Sequence, residues 1–456
     1  MGAKRATLWL LLSGLLGLTA VGCTPFHGQH HQLDDEAPLR STRPRPDTAP
    51  ETVPQEPANL DDLIEVAVKH HPDLRVAEAR IQAARGKMVQ AGLFPNPSFG
   101  PNFAQLGDSA NRLGEPGARL IQTIPTGHKL QLAKAAAAYG VEAADWQAVT
   151  KRYDVVTRVR SAYYELLTGL RERDTLIDIV AISEKALQAA ERLEKAGAGN
   201  RPDVLRAKVE LEQNKLKKEI SERRVEAARQ TLLTTLGRPT LALDRLTGNA
   251  ADLEQTPPDY EWKTMLDCLR DTSSDLQEAR ALVVQAEKLV ARAEAQVKSD
   301  FTVSAIPFYE SSARELRGEI HVTAPIPIFD RNQGNIHAAK ADLARTHAEE
   351  HQRELLLTDR LTLAYQRYQA ARQQTDSYHK TIAPQARESL KLVQTGYAAG
   401  DKKYDYTAVL QAQQVLFQVQ LAHTQAMGEQ WRSVVEIAGI LQQDDLMSGC
   451  AVRAPQ

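Results

Sequence analysis

Aromatic residues make up only 5% of this 456-residue chain, and cysteine occurs three times. So few aromatic side chains argue against a thick globular core. The abundance of Ala, Leu, Gln, Glu and Arg is instead typical of long helices packed through narrow seams. A net charge of −2 leaves no basic field for nucleic acid. Beyond the N-terminus no apolar run approaches the roughly 20 residues of a transmembrane helix, so we expect any membrane-spanning part to consist of strands.

Catalytic motifs are missing as well. The sequence contains no nucleophile elbow, no phosphate-binding loop and no Cys/His zinc spacing, so we predict neither an enzyme nor a bound cofactor. His347 and His351 are weak candidates for a metal site, since a spacing of four on a helix can clamp a divalent cation. Glu349, Glu350 and Arg353 surround them, and this hydrated setting favours an ordinary solvated face.

The N-terminus carries an export signal. Lys4 and Arg5 precede an apolar stretch over residues 6–20, and small residues then lead to Cys23. This order resembles a bacterial lipoprotein signal, which implies that residues 1–22 are removed and that Cys23 is lipidated. An ordinary signal peptide with a chance cysteine is the alternative.

Residues 23–58 are rich in Pro, His, Thr and charge, and we predict a disordered linker there. The two remaining cysteines, Cys268 and Cys450, lie far apart in the sequence. Spacing leaves open whether they pair or stay free.

Two long helical hairpins dominate the rest of the chain. No proline interrupts residues 129–195, and apolar residues recur there mostly at every third, fourth or seventh position. This predicts a helix on the order of 100 Å long. A helix over 202–236 must return antiparallel because the connecting loop is short. The second pair is predicted to begin after Gly334 and to end near residue 441, with a kink at Pro384. Its predicted packing seam comprises Leu357, Leu361, Ala364, Tyr368, Ala371, Thr375, Tyr378 and Ile382.

The chain repeats itself at a spacing of about 202 residues. Three landmark pairs share this spacing, for example 327 − 125 = 202: Pro125 with Pro327, Tyr163 with Tyr365, and Asp203 with Asp405. We therefore predict two structural repeats, over residues 59–258 and 259–445, and a tail over 446–456. Each repeat reads helix, strand, strand, long helix, helix, with strands near 98–106, 118–124, 301–308 and 319–324. The segment from Asn59 to Asp62 is expected to cap the first helix, which Pro72 should kink or restart.

Four short strands cannot close a barrel, and open strand edges are not tolerated in lipid. Three copies would supply twelve strands, an even number within the range of outer-membrane barrels. The predicted fold class is accordingly mainly α with a small β part. In it, a trimeric 12-stranded β-barrel continues into a 12-segment α-helical barrel.

The duplication, the two hairpins and the segment PIPIFDRNQGNI from Pro325 to Ile336 resemble the TolC-type outer-membrane efflux proteins. The resemblance covers about residues 60–441 and is closest to the Czc/Cus-type cation-efflux branch. It implies a lipid-anchored homotrimeric exit duct in the bacterial outer membrane with a large periplasmic part. Its implied partners are outer-membrane lipid, a periplasmic adaptor and an inner-membrane RND-type pump. The expected cargo is heavy-metal cations.

Two groups of residues are predicted to matter. The strand-to-helix junction comprises Pro325, Pro327, Asp330, Arg331, Asn332 and Gly334. Its prolines stop strand pairing, and Asp330 or Asn332 is expected to cap the following helix. By the resemblance, the hairpin tips form the periplasmic entrance, with gate candidates Arg201, Asp203, Asp401, Lys402, Tyr404 and Asp405. Ordinary helix capping is the alternative for the two aspartates Asp203 and Asp405.

Two other functions stay open. The same channel would serve equally well for drugs or other small molecules. A protein of another class, a periplasmic coiled-coil adaptor or structural lipoprotein, also has long helical hairpins. Adaptors, however, carry glycine-rich, β-branched lipoyl-like domains and are not duplicated at about 200 residues, and the sequence shows no such domains.

Overall fold

The structure, a computed structural model, describes residues 59–104, 114–197, 199–239, 253–311, 313–399 and 403–447. The signal segment, Cys23, the linker and Cys450 lie outside these ranges, as do Asp401 and Lys402 of the predicted gate. Cys268, buried on a helix, takes part in a disulfide.

The described chain is mainly helical. In order, the elements are α1 Leu60–His70, α2 Pro72–Ala91, β1 Ser98–Ala104, β2 Glu115–Ile124, α3 Lys129–Lys195, α4 Arg201–Thr235, α5 Trp262–Thr272, α6 Ser274–Ala295, β3 Phe301–Glu310, β4 Glu315–Thr323, α7 Gln333–Ser377, a π-turn Tyr378–Ile382, α8 Ala383–Ala398 and α9 Tyr406–Ile440. Within the described ranges no helix is long and apolar enough to cross a membrane.

One unit of structure occurs twice: two short helices, two strands, a long helix and a returning helix. The returning helices α4 and α9 both have 35 residues. The long helices begin at Lys129 and Gln333, so their starts lie 333 − 129 = 204 residues apart. Relative to the predicted spacing of 202, α7 begins two positions later in its repeat than α3 does, and the second strand-to-helix junction, 324–332, is longer than the first, 125–128.

The first predicted helix restarts at Pro72, which forms the first turn of α2. Asn59 caps α1 as predicted, in a capping box with Asp62. At the break, His71 Nδ1 accepts the Asp73 N–H at 3.1 Å. Burial lowers the pKa of His71, against the opposing effect of Asp73. The neutral ring therefore persists, and only that form can accept this bond.

The core lies where both hairpins meet the short helices. Trp431 on α9 stacks on Tyr164 of α3, with ring centroids 4.8 Å apart, and its Nε1 donates to the Leu253 carbonyl at 3.0 Å. Leu166 and Leu167 are fully buried beside them, each contributing about 1.5–3 kcal/mol. The predicted seam of α3 is confirmed over its central part: Tyr153, Val156, Tyr163, Leu166 and Leu170 are buried, whereas Trp146 and Val149 are only partly buried.

The predicted packing seam of the second long helix is wrong at its far end, where the structure has a π-turn. Leu357, Leu361, Ala364, Tyr368 and Ala371 are buried as predicted, but Ile382 is 37% exposed. Pro384 lies in the first turn of α8 and has no N–H to donate to the preceding turn. The chain accommodates it with one extra residue per turn. The seam then passes from Tyr378 to Ala383, which is buried in place of Ile382.

The four strands form one antiparallel sheet in the order β1-β2-β3-β4. The β2–β3 pairing, in which Leu120 faces Ala305, joins the two repeats through backbone hydrogen bonds. β1 and β4 lie at the two edges, and each pairs on one side only within the described residues. β2 begins three residues and β4 four residues earlier than predicted, β3 ends two residues later, and β4 ends one residue earlier. The last two residues predicted for the first strand, 105–106, lie outside the described residues.

The sheet has one uncharged face. The pairing places Phe99, Leu120, Ala305 and Ile320 side by side on that face. Every charged residue of the four strands, and the one histidine, lies on the opposite face: Glu115, Arg119, Glu310, Glu315, Arg317, Glu319 and His321. Phe99 is 77% exposed and Ile320 66% exposed, so the uncharged face is not covered by the described part of the chain.

Candidate functional site

The tip of the first hairpin is a tight left-handed turn. The turn begins at Gly197, at φ +72, a conformation that glycine adopts without strain. The Gly199 N–H donates to the Leu193 carbonyl at 3.0 Å and closes the end of α3. Asn200 then caps α4, with its Oδ1 accepting the Asp203 N–H at 3.0 Å. Asp203 therefore does not cap α4. Its backbone N–H is the group that the Asn200 side chain caps.

The second tip is built differently. Asp405 caps α9, as its Oδ1 accepts the Ala408 N–H at 2.8 Å. The Tyr404 ring lies against Gly396 of α8, where any side chain larger than hydrogen would collide with it. Tyr404 and Asp405 thus set the angle at which α9 leaves the tip, and the capping alternative is confirmed for Asp405.

The two tips pack against each other. Tyr406 of α9 is buried with Ala190, Val204 and Ala207 of the first hairpin, and its hydroxyl donates to the Ala186 carbonyl at 3.3 Å. The Tyr397 ring of α8 lies 6.1 Å from the Tyr406 ring.

Two hydrogen bonds between α4 and α9 continue this contact. Arg206 Nη1 donates to Thr407 Oγ1 at 2.7 Å. Gln414 Nε2 donates to Glu210 Oε2, also at 2.7 Å. We call the residues Arg206, Glu210, Tyr397, Tyr406, Thr407 and Gln414 the tip interface.

The electrostatics of the tip interface keep both phenols neutral. Burial, then the neighbouring Tyr397 and Asp203, raises the pKa of Tyr406 to about 12. Burial together with Asp203 and Asp405 raises the pKa of Tyr397. Both hydroxyls therefore keep their protons near neutral pH, because burial disfavours the charged phenolate and the nearby carboxylates, Asp203 at both rings and Asp405 at Tyr397, oppose a further negative charge.

The predicted gate residues do not pair with one another where they are described. Arg201 lies 3.6 Å from Glu194 on its own hairpin, and Asp203 lies 3.8 Å from Arg206 one turn further along α4. The sequence did not predict the residues that do connect the two hairpins. Arg206 and Thr407 are 201 positions apart in sequence, and no local pattern signals a contact of that range.

Both strand-to-helix junctions contact the end of α6 or the segment that joins α6 to β3. In the first, Lys129 Nζ lies 2.7 Å from Asp300 Oδ1 in a largely buried ion pair, and Thr126 donates its N–H to the same oxygen at 2.9 Å. In the second, Ser299 Oγ donates to the Pro325 carbonyl, and Asn332 Nδ2 donates to the Ala293 carbonyl at 2.7 Å.

The expected capping at the second junction is wrong. Asn332 precedes α7 but has left-handed backbone angles, with φ +58, and makes no side-chain cap. Its amide instead bonds α6, while Asp330 Oδ1 accepts the Asn332 N–H at 2.8 Å and shapes the turn. His128 takes the same left-handed conformation, with φ +59, at the first junction. The first bend therefore contains two consecutive left-handed residues, Gly127 at φ +65 and His128, whereas the second contains Asn332.

The remaining junction residues have lesser contacts. Pro325 and Pro327 follow the last residue of β4, as predicted from their missing N–H groups. The Arg331 N–H donates to Gln333 Oε1 at 2.8 Å. Gly334, in the first turn of α7, has open space around it.

The weak metal candidates His347 and His351 are exposed on α7. Each lies 3.9 Å from a glutamate on the same helix, Glu350 and Glu354 respectively. Those carboxylates also pair with Arg280 on α6 and with Arg270. In the part of the chain that the structure describes, no group of three or more His, Cys, Asp or Glu side chains is arranged to hold a metal ion.

A cleft of about 570 Å³ lies between α3, α6, α7 and α9. Four of its ionic groups form two ion pairs, with Arg158 Nη2 at 2.5 Å from Asp73 and Lys151 Nζ at 2.8 Å from Asp154. Burial, reinforced by Asp154, raises the pKa of Asp275 on its wall.

Comparisons with known proteins agree with this arrangement. The family described as outer membrane efflux protein matches residues 63–238 and 269–441. The cobalt-zinc-cadmium resistance protein CzcC of Cupriavidus metallidurans is 25% identical over 386 residues, covering 84% of this chain and 90% of CzcC.

Solved structures agree on the fold. A membrane protein from Pseudomonas aeruginosa superposes with a TM-score of 0.72 at 18% identity, covering 85% of this chain and 93% of that one. CusC superposes with a TM-score of 0.68 at 16% identity, covering 84% of this chain and 91% of that one. The fold and the family match define a transport protein of the outer membrane, not an enzyme. The chain belongs to the outer membrane efflux protein family.

Proposed function

We propose that this protein is the passive exit channel of a tripartite efflux system, assembled as a homotrimer in the outer membrane. Three copies contribute twelve strands to one β-barrel and twelve helical segments to a tunnel below it. The observation that carries the proposal is the sheet, with its uncharged exposed face and its two edges.

The chemistry of a bilayer explains both properties of the sheet. Lipid accepts an apolar, uncharged surface, whereas a water-filled lumen suits the face with Glu319 and Arg317. Unpaired N–H and C=O groups along β1 and β4 would each cost several kcal/mol in lipid. Pairing β1 of one copy with β4 of the next removes that cost and closes the ring.

The gate of this channel lies at the tip interface. The hairpin tips are the ends farthest along the helices from the strands, and the contacts of Arg206 and Gln414 hold the second hairpin against the first. Arg201, Asp203, Tyr404 and Asp405 lie at the turns around this contact; the other two gate candidates, Asp401 and Lys402, lie outside the described residues. Opening requires the two hairpins to separate, so weakening their contacts favours the open state.

Replacing Arg206 and Gln414 together by alanine is expected to raise the conductance of the resting channel in planar bilayers. Exposed contacts of this kind contribute about 0.5–1 kcal/mol each, so the open fraction should rise roughly two- to fivefold per contact. Lys215→Ala is the matched control, because the partner of Lys215 is Glu212 on its own helix. If the resting conductance of the double variant equals that of the control, the tip interface takes no part in gating.

The proposed cargo is heavy-metal cations, supplied by an inner-membrane RND-type pump through a periplasmic adaptor. Support comes from CzcC, a cobalt-zinc-cadmium resistance protein that aligns over most of both chains. Anchoring through lipidated Cys23, after removal of residues 1–22, belongs to the same proposal.

A deletion strain tests the cargo. Grown on graded zinc, cobalt, nickel, copper and silver beside a drug panel, it is expected to lose tolerance to one or more cations. Expression of the wild-type chain should restore tolerance, and a Cys23→Ala chain should restore it less well. Unchanged metal tolerance together with new drug sensitivity would assign the channel to small-molecule efflux instead.

A further inference from the structure

The second strand-to-helix junction holds three large apolar side chains that the structure leaves exposed. Ile326, Ile328 and Phe329 lie between and just after the junction prolines. Phe329 is 91% exposed, the highest value among the large apolar side chains of the described residues. Clusters of exposed apolar side chains mark contact surfaces. We call Ile326, Ile328 and Phe329 the β4 patch, because they follow β4.

A second apolar group lies at the opposite edge of the sheet. Leu93 and Phe94 belong to the segment that joins α2 to β1, and both are exposed, Phe94 by 65%. We call these two residues the β1 patch. Since β1 and β4 are the two edges of the sheet, the two patches flank the sheet on its two sides.

Hydrogen bonds place the two patches at about the same level below the sheet. On the β1 side, Gln122 Nε2 of β2 donates to the Pro95 carbonyl at 3.0 Å. In the middle, Thr126 Oγ1 donates to the Ser299 carbonyl at 2.7 Å. On the β4 side, Ser299 Oγ donates to the Pro325 carbonyl. This row of contacts therefore ends, on each side, one residue away from a patch.

The middle of the row is polar. Thr126 and His128 lie in the first junction, and Lys298, Ser299 and Asp300 lie between α6 and β3. At this level the large exposed apolar side chains are therefore confined to the two edges of the described unit. A lipid contact would need apolar residues along the whole border, because every strand of a membrane barrel meets the bilayer. A contact between copies needs them only at the edges.

Backbone pairing between neighbouring copies has to end at this level. Pro325 and Pro327 follow β4, and Pro95 and Pro97 precede β1. None of these four residues has an N–H to donate to a facing strand. Where β4 of one copy lies beside β1 of the next, side chains alone must close the wall below the last paired residues. An apolar patch on each side meets that requirement.

We propose that the β4 patch of one copy packs against the β1 patch of the next copy and seals the channel wall where strands give way to helices. The inference rests on the proposed function, because the two patches meet only when β4 of one copy lies beside β1 of the next. Two different surfaces in contact form a heterologous interface, which closes into a ring when it is repeated around an axis. Phenylalanine on both sides suits such an interface, since aromatic residues are enriched in contacts between proteins.

Charge substitutions at the two phenylalanines test this contact. The variants are Phe94→Glu, Phe329→Lys and the two together, purified in detergent. The measurement is the temperature at which half of the trimer has dissociated, read from native gels. Val415→Glu is the matched control, because Val415 is an exposed apolar residue of α9, a helix that contacts α3 and α8 of its own copy. Far-ultraviolet circular dichroism at room temperature shows that each chain is folded.

Each single variant is expected to lower the dissociation midpoint by about 5 °C or more, because a lone charge enters an apolar contact at three places in the ring. The double variant should recover part of the loss, since opposite charges then face each other. The control should dissociate like the wild type.

Two results would overturn the contact: single variants with the wild-type midpoint, or a double variant that recovers nothing. Normal midpoints in detergent combined with less protein in the outer membrane would instead assign the patches to lipid. A wild-type chain that is monomeric in outer-membrane extracts would refute the trimer itself. The wild-type sample thus separates failure of the proposed function from failure of this contact.

Discussion

Ile320→Lys is expected to deplete assembled protein from the outer membrane. Ile320 stands in the central row of the uncharged face, opposite Ala305, and is 66% exposed. A lysine at the lipid face of a barrel costs about 2–4 kcal/mol at the bilayer midplane. A trimer carries the change three times, so the combined cost approaches the whole stability of an ordinary domain. The measurement is the amount of trimer in outer-membrane extracts on a native gel.

The neighbouring Glu319→Lys is the matched control. Glu319 lies one position away on the same strand but on the charged face, so the added lysine would point into water. It should assemble close to wild-type levels, with altered ion selectivity in planar bilayers. Equal assembly of the two lysine variants would mean that the uncharged face does not meet lipid.

Gly428→Ala is expected to lower the thermal midpoint of the purified protein. A methyl group added at Gly428 of α9 would lie 2.5 Å from Thr168 Oγ1 on α3, so the two helices would have to move apart. Overpacking of this kind typically costs about 1–3 kcal/mol, more than alanine gains over glycine in a helix. Thr168→Ala in the same chain should recover part of the loss. Circular dichroism in detergent follows the transition.

Gly86→Ala serves as the control for Gly428→Ala. Gly86 also lies inside a helix, α2, but an added methyl group there meets nothing within 4 Å. The substitution should stabilise the protein by about 0.5–1 kcal/mol through helix propensity alone. The two alanine substitutions are therefore expected to change the thermal midpoint in opposite directions: Gly428→Ala lowers it and Gly86→Ala raises it. A stabilising Gly428→Ala would show that the approach of α3 and α9 at this point is not a close contact.

Long regular segments were predictable from the sequence because many residues repeat the same signal. The start and end of α3 at Lys129 and Lys195 match the prediction, since no proline or glycine pair interrupts its seam. Asn59 and Asp405 were recognisable as caps because capping depends on a residue and its next three neighbours. The family resemblance drew on the same regularities, and it is confirmed.

What escaped prediction depends on single residues or on distant contacts. One extra residue at the π-turn exchanges Ile382 for Ala383 in the seam, and periodicity alone does not show where a helix takes in such a residue. The left-handed backbone conformation of Asn332 occurs together with a hydrogen bond from its side-chain amide to the Ala293 carbonyl, 39 positions away. The tip interface pairs side chains about 200 positions apart, so the sequence indicated the tips but not their contacts.

The central claim is that strands of three copies close one ring, and cysteine cross-linking between edge strands measures it most directly. One cysteine replaces Asn102 on β1, and a second is moved along β4 from Leu316 to Val322 in successive variants. In at least one variant, oxidation in intact outer membranes should yield covalent dimers and trimers, with trimers of roughly 150 kDa as the largest product. A ladder that continues beyond three copies, or cross-links confined to single chains in every variant, would contradict the closed trimeric barrel.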